Sequence, residues 1–359
     1  MQAEGYESFL FATLDQLSKK FSEHKFLYII DRPYDEKHVF PENVQAILVG
    51  PKTNRSLSLQ YWLNYKIPAA LRKNKADVFL SLEGICSLRT KTPQFLLISN
   101  LNFLQPNQIL KNRQTRFYKK YTSAFLAKAK AIATVSEYSK KIIADHYKIT
   151  ADTINVIHPG VDTIFKPLDW EAQELIKEKY ADGKAYFLFV GNINQRSNFI
   201  NLLKAFSFFK KRQKSNMMLL IAGNADESFK KEIKTYKYRD EVKLIEDLDT
   251  TELAKITASA YAMVYPVLKD EIALPALQAL QCNVPIIISN TGVLTSVFGE
   301  AALYINPENF EDIAQKMMLV FKNEDKAKEL IKEGNTLLQQ YQLDKTTDLL
   351  MQCILKCAE

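Results

Sequence analysis

Short apolar runs separated by amphipathic stretches recur along the whole chain, and few folds accept that alternation. The runs "KFLYIID" (25–31), "AILVG" (46–50), "DVFLSL" (77–82), "FLLISN" (95–100), "AIATVS" (131–136) and "INVIHP" (154–159) read as strands with helices between them. After "GVDTIFKPLDWEAQELIKEKYADGK" the pattern restarts with "YFLFVG" (186–191), "MMLLIAG" (217–223), "VKLIE" (242–246), "YAMVYP" (261–266), "VPIIIS" (284–289) and "ALYIN" (302–306). Strands alternating with crossover helices predict parallel sheets. The chain has 359 residues, more than the ~250–300 that a single core usually reaches, so the restart marks a second domain. The expected fold class is α/β, two doubly wound Rossmann-like domains facing across a cleft. They are expected over 1–165 and 166–342, with a C-terminal helix over 343–359 that crosses back onto the first. Sheets of this kind take ligands in the crevice beyond the carboxyl ends of their strands.

Several function classes are excluded early. No apolar run approaches the ~20 residues of a membrane span, and the N-terminal "MQAEGYESFLFATLDQLSKKF" lacks the basic and apolar regions of a secretory signal. A cytoplasmic location is expected, with peripheral attachment to the membrane face as its variant. Cys86, Cys282, Cys353 and Cys357 are too scattered for a disulfide framework, and His24, His38, His146 and His158 have no ligand spacing. No metal is expected. The formal charge of +7 is one-sided: from Gly84 to Ser136 there is no acid, against Arg89, Lys91, Lys111, Arg113, Arg116, Lys119, Lys120, Lys128 and Lys130. Such a segment is either a solvated helix face or a surface for anionic headgroups or a phosphate-bearing substrate. Nucleic acid fits it least, because no helix-turn-helix, zinc-finger or RNA-binding pattern accompanies the charge.

The stretch "VYPVLKDEIALPALQALQCNVP" (264–285) reads as strand, loop, helix, strand, the arrangement that binds phosphate at a helix N-terminus. Its loop has no glycine and carries two acids, Asp270 and Glu271. Together with "YFLFVGNINQRSNFINLLKAF", "LLIAGNADE", "VKLIEDLDTTELAKITASAYAMVYP", "LPALQALQCNVPIIISNTGVLTSVFGEAALYINPEN" and "AIATVSEYSKKIIADHYKITADTINVIHPGVD", it resembles the GT-B glycosyltransferases of the family 4 type. That resemblance runs from about residue 5 to the C-terminus. It implies transfer of a sugar from a nucleotide sugar with retention, with a UDP- or GDP-sugar as donor and no other cofactor.

In that family a Glu is followed by Gly-Phe-Gly-Leu-Pro and, eight positions after the first, by a second Glu. Leu274 and Pro275 fix the register. Asp270 then takes the first Glu position, Glu271 and Ala273 stand at the two glycines, and Gln278 stands at the second Glu. Glycines there let backbone N–H groups approach a diphosphate. A Cβ at each position narrows that approach, and an inward Glu271 adds a like charge. At an effective dielectric of about 20, two charges ~4 Å apart repel by ~4 kcal/mol. Gln278 can still hydrogen-bond ribose, as a neutral partner weaker than a carboxylate.

The same resemblance implies further binding positions at Gly191, Asn192, Arg196 and Ser197 in "VGNINQRSN", and backbone contacts to the base near Asp247 and Leu248. The family's diphosphate-gripping Arg and Lys correspond to Asn192 and Ser197, while Arg196 remains. In "FLLISNLNFL", Ser99 takes the place of a sugar-contacting His and Asn100 that of an Asp, so neither is a charged acid or base. The opening turn is reduced to "EGYES", with Gly5 kept and Glu7 at the second glycine position. A first central strand, which the family places before that turn, is missing from this numbering. Only ten glycines occur in the chain, against a usual ~7% of residues.

No catalytic residue is assigned; Ser99, Asp270 and Gln278 are the altered catalytic positions. The expected function is that of a glycosyltransferase-like protein of glycan or polysaccharide biosynthesis that has lost sugar transfer and binds a glycan, a lipid-linked acceptor or a partner glycosyltransferase. The alternative is an active glycosyltransferase with an altered donor site, using Arg196, Asp270 and Gln278.

Overall fold

A computed structural model describes residues 6–33, 40–53, 56–104, 113–193, 198–268 and 272–359. The chain divides into two compact units. One comprises Leu10–Gly160 with Asp344–Glu359, and the other comprises Val161–Leu343 with the described residues up to Phe9.

The first unit holds strands β1 (Phe26–Ile30), β2 (Val44–Leu48), β3 (Phe79–Ser81), β4 (Gln94–Ile98), β5 (Ala131–Thr134) and β6 (Ile154–Val156). All pairings are parallel, but among the described residues they form two separate sheets, β1-β2 and β3-β4-β5-β6. β4 is buried at every position, as a continuous apolar run between helical layers should be. Its core partners include Phe117, Phe125 and Leu126 on the helix Arg113–Lys128. The terminal helix Leu343–Ala358 belongs here from Asp344 onward. Lys20 Nζ lies 2.8 Å from Asp344 Oδ1 and 2.7 Å from Asp348 Oδ1, and Thr346 Oγ1 donates to the His158 carbonyl at 2.8 Å. Cys357 is fully buried.

The second unit contains β7 (Tyr186–Val190), β8 (Met218–Ala222), β9 (Val242–Ile245), β10 (Ala262–Tyr265), β11 (Ile286–Ser289) and β12 (Ala302–Ile305). Among the described residues they form one parallel sheet in the order β12-β11-β10-β7-β8-β9. β7, β8, β10 and β11 are buried at every position. The segment just after Gly160 joins this unit because its backbone is bonded there. Val161 N–H donates to Tyr341 O at 2.8 Å, and Gln281 Nε2 donates to the carbonyls of Asp162 and Phe165. Among the described residues, no helix is long and apolar enough to cross a membrane.

Candidate functional site

In the second unit, β7 runs first and sits beside β10, so the chain winds outward from that pair in both directions. Sheets of this kind take ligands at such a point, between the loops that leave the two strands, here β7 and β10, at their carboxyl ends. Those loops are 191–198 and 266–273, the two stretches that sequence reading singled out.

Hydrogen bonds tie the loops along this edge into a chain. Gly191 N–H donates to Ala222 O, and Ile193 N–H to Asn224 O, each at 2.9 Å. Asn192 Oδ1 accepts from Asn224 N–H at 3.2 Å. The β8 loop is in turn bonded to the β9 loop, because Gly223 N–H donates to Ile245 O at 3.0 Å and Ala225 N–H donates to Glu246 Oε1 at 3.3 Å. Lys230, 2.9 Å from Glu246, holds that carboxyl below its usual range. Asp247 and Leu248 follow it, Asp247 in the left-handed region at φ 55°. Asp249 ends the loop by accepting from Glu252 N–H at 2.7 Å, which caps the next helix.

On the other side, Asn198 bridges the crevice. Its Nδ2 donates to Pro266 O at 3.0 Å and to Pro307 O at 2.5 Å. Sequence reading missed this residue. It also missed Gly223, where a Cβ would come within 2.3 Å of the Gly191 carbonyl oxygen and the backbone has φ +151°. The available signal was a glycine directly after the apolar run "MMLLIA", where two strand ends must meet closely.

Ala273 is the N-cap of the helix Leu274–Gln281, at φ 46° and ψ 46°, and is fully buried. An L-residue in this left-handed conformation costs ~1–2 kcal/mol relative to the right-handed one, so the position is one that glycine would occupy without strain. Pro275 has no N–H to offer, and the N–H groups of Ala276 and Leu277 already donate to the Ala273 carbonyl at 2.9 and 3.3 Å. Among the described residues, Leu274 N–H is then the donor left at the start of this helix. Gln278, on the next turn, is 7% exposed. Arg196, Ser197, Asp270 and Glu271 lie outside the described residues, as does Lys269. The described residues of the two loops carry no cation.

Family models match both halves of the chain. Residues 2–165 match Glycosyltransferase Family 4, and residues 172–336 match Glycosyl transferases group 1. The chain belongs to the GT-B glycosyltransferases. Among relatives, it is 24% identical over 287 residues to an O-antigen chain mannosyltransferase, RfbU, of Salmonella typhimurium, covering 79% of this chain and 74% of the relative. It is 23% identical over 209 residues to the O-antigen chain mannosyltransferase B of Escherichia coli, covering 57% of this chain and 55% of that protein. Among solved structures, WaaG, a glycosyltransferase involved in lipopolysaccharide biosynthesis, superposes with a TM-score of 0.79 at 13% identity, covering 97% and 96% of the two chains. Anabaena HepE, crystallised with UDP and glucose, gives 0.75 at 12% identity over 98% and 97%. At these identities the structural likeness establishes the GT-B fold.

The remaining positions of the GT-B glycosyltransferase reading fall in the first unit. Ser99 follows β4 and is 7% exposed, while Asn100 beside it is exposed. Of the basic segment, Arg89, Lys91, Arg116, Lys119, Lys120, Lys128 and Lys130 are exposed. Four of them are on the helix Arg113–Lys128, whose opposite face buries Phe117, Thr122, Phe125 and Leu126. Arg113 opens that helix, and Lys111 lies outside the described residues. The Arg89 guanidinium stacks 4.3 Å from the Tyr65 ring centroid, and Tyr65 stacks on Tyr61 at 5.4 Å.

Proposed function

We propose that this chain is a glycosyltransferase-like protein of glycan assembly, of the retaining, nucleotide-sugar type, whose donor crevice no longer supports transfer. The observation that carries the reading is Ala273. It puts a methyl group and a strained backbone at the start of the helix Leu274–Gln281, where backbone N–H groups would meet a diphosphate. Pro275 and the Ala276 and Leu277 bonds leave that helix short of free donors. The replacement of cations by Asn192 and Ser197 removes groups that would stabilise charge on a leaving diphosphate, Gln278 leaves a neutral partner where a carboxylate would hold ribose, and Ser99 stands where a His would contact the sugar. Electrostatic stabilisation of that kind is commonly worth several kcal/mol per donor, ~2.7–4 where single groups have been removed.

Titration calorimetry with UDP-glucose and GDP-mannose tests this. Heats too small to fit, or dissociation constants above about 1 mM, are expected. A micromolar constant for either donor overturns the reading.

A second reading is favoured by one observation: the hydrogen-bonded chain of loops around β7 and β10 is intact, and the aligned relatives include mannosyltransferases. A transfer assay with a labelled nucleotide sugar and a lipid-linked glycan acceptor separates the two, since product formation supports an active enzyme with an altered donor site.

The exposed cations of the first unit, together with Arg89 stacked on Tyr65, support contact with an anionic membrane face where such acceptors reside. Each cation near an anionic surface contributes about 1 kcal/mol, screened by salt. Co-sedimentation with phosphatidylglycerol vesicles should fall as salt rises, and equal binding to neutral vesicles contradicts it.

A further inference from the structure

Two segments of the second unit gather cations away from the crevice. "KKRQKSN" (210–216) holds four and no acid, and "KTYKYR" (234–239) holds three and no acid. The first ends the helix Phe199–Gln213 and runs into β8, and the second ends the helix Glu227–Thr235 and runs into β9. Both therefore lie at the amino ends of the strands, the edge of the sheet opposite the crevice.

Contacts distant in sequence bring the two segments onto one face. Tyr236 Oη accepts from Ser207 Oγ at 2.7 Å and donates to the Leu203 carbonyl at 2.8 Å. Lys210 is buried, lies 2.8 Å from Glu241 just before β9, and donates to the carbonyls of Ser215 and Met217. That cation holds the fold. Lys211, Arg212, Lys214, Lys234 and Lys237, by contrast, are exposed and make no ion pair among the described residues. Cations in a last helical turn offset the helix dipole, which accounts for Lys211, Arg212 and Lys234, but Lys214 and Lys237 lie beyond those turns. Like charges gathered on one face repel one another, and an anionic ligand removes that cost.

The side chains around these cations define the kind of anion. None of the large hydrophobic side chains exposed among the described residues lies in either segment, so the face has neither the apolar wedge of a helix that lies in a membrane nor the buried anchor of a protein interface. Single-stranded nucleic acid needs open ring faces on which bases stack. Here the Arg212 guanidinium stands 5.2 Å from the Phe208 ring centroid, Lys237 Nζ stands 5.3 Å from that of Tyr238, and the Tyr236 ring lies 6.1 Å from Tyr238. Interleaved with the cations are neutral hydrogen-bonding groups, the amides of Gln213 and Asn216 and the phenol of Tyr238. Cations for acidic groups and amides for hydroxyls fit a chain that carries both.

We propose that this face docks an acidic polysaccharide, a chain whose anionic groups meet the five exposed cations and whose hydroxyls meet Gln213, Asn216 and Tyr238. The inference rests on the reading of the chain as a protein of glycan assembly. It concerns the edge opposite the donor crevice, so tight binding of UDP-glucose or GDP-mannose would overturn the loss of transfer and leave this face as it is.

Binding of labelled polygalacturonate to the full chain, followed by fluorescence anisotropy, tests it, with neutral dextran, polyglutamate and an oligothymidylate of equal charge as comparisons. Polygalacturonate should bind more weakly as salt rises, and dextran should not bind. Lys211→Gln, Lys214→Gln and Lys237→Gln together should weaken polygalacturonate at least ~tenfold, whereas Lys73→Gln, Lys328→Gln and Lys332→Gln, three exposed lysines elsewhere, should change it less than about twofold. Gln213→Ala with Asn216→Ala should weaken polygalacturonate and leave polyglutamate unchanged. Hydrogen exchange in the unaltered chain gives a readout that needs no variant: polygalacturonate should slow the amides of 211–216 and 234–239 and leave those of β7 unchanged. No binding of polygalacturonate, equal binding of dextran, polyglutamate or oligothymidylate, equal loss in the two lysine variants, or slowing confined to other segments overturns the proposal. So does loss of phosphatidylglycerol-vesicle binding in the first lysine variant with polygalacturonate binding retained, because the face then belongs to a membrane.

Discussion

β7 and β1 are near-equivalent on paper, "YFLFV" against "FLYII", but β7 is buried at every position and β1 at none. The difference comes from their neighbours. β7 has β10 on one side and β8 on the other, and β1 has β2 alone among the described residues. Hydrophobicity gives a strand its type, whereas the number of strands beside it gives its burial and so its energy.

The largest expected effect sharpens this contrast within the second unit. Gly223→Ala places a Cβ 2.3 Å from the Gly191 carbonyl oxygen at a φ of +151°, and both terms oppose folding. A loss of at least about 3 kcal/mol in denaturant unfolding is expected, whereas Gly50→Ala, with nothing within 4 Å of its Cβ, should change little. Leu220→Ala, fully buried in β8, should cost about 3–4 kcal/mol. Leu27→Ala, on the half-covered β1, should cost about 1–2 kcal/mol. Equal costs at Leu220 and Leu27 would break the comparison.

The sequence carried the second unit well, since its strands follow the apolar runs closely and its crevice falls on the loops that follow "YFLFV" and "YAMVYP". Parallel pairing was implied by the alternation of strands and helices. Less legible were the features that depend on contacts distant in sequence. Asn198 gave no local sign that it would bind the carbonyls of Pro266 and Pro307, because neither proline is near it in the chain. The apolar runs themselves did not show that, among the described residues, β1-β2 and β3-β4-β5-β6 form separate sheets. At Ala273 the family pattern indicated a glycine position, but only the backbone shows the reason, a left-handed N-cap.

That residue gives the smallest expected effect on stability. Ala273→Gly relieves the left-handed strain and adds backbone freedom to the unfolded chain, so a net gain of about 0.5–1 kcal/mol is expected. Gly at an unstrained helical site costs about that much instead, so a loss at Ala273 would mean that the left-handed cap carries no strain.

The central claim is that the crevice between β7 and β10 keeps its architecture and has lost the groups that hold a diphosphate. The most direct test restores those groups together, with Asn192→Arg, Ser197→Lys, Glu271→Gly and Ala273→Gly in one chain, and measures UDP and GDP binding by calorimetry against the parent. The account predicts a folded variant whose binding appears or tightens at least about tenfold, equivalent to ~1.4 kcal/mol. A folded variant that binds either nucleotide no better than the parent would contradict it.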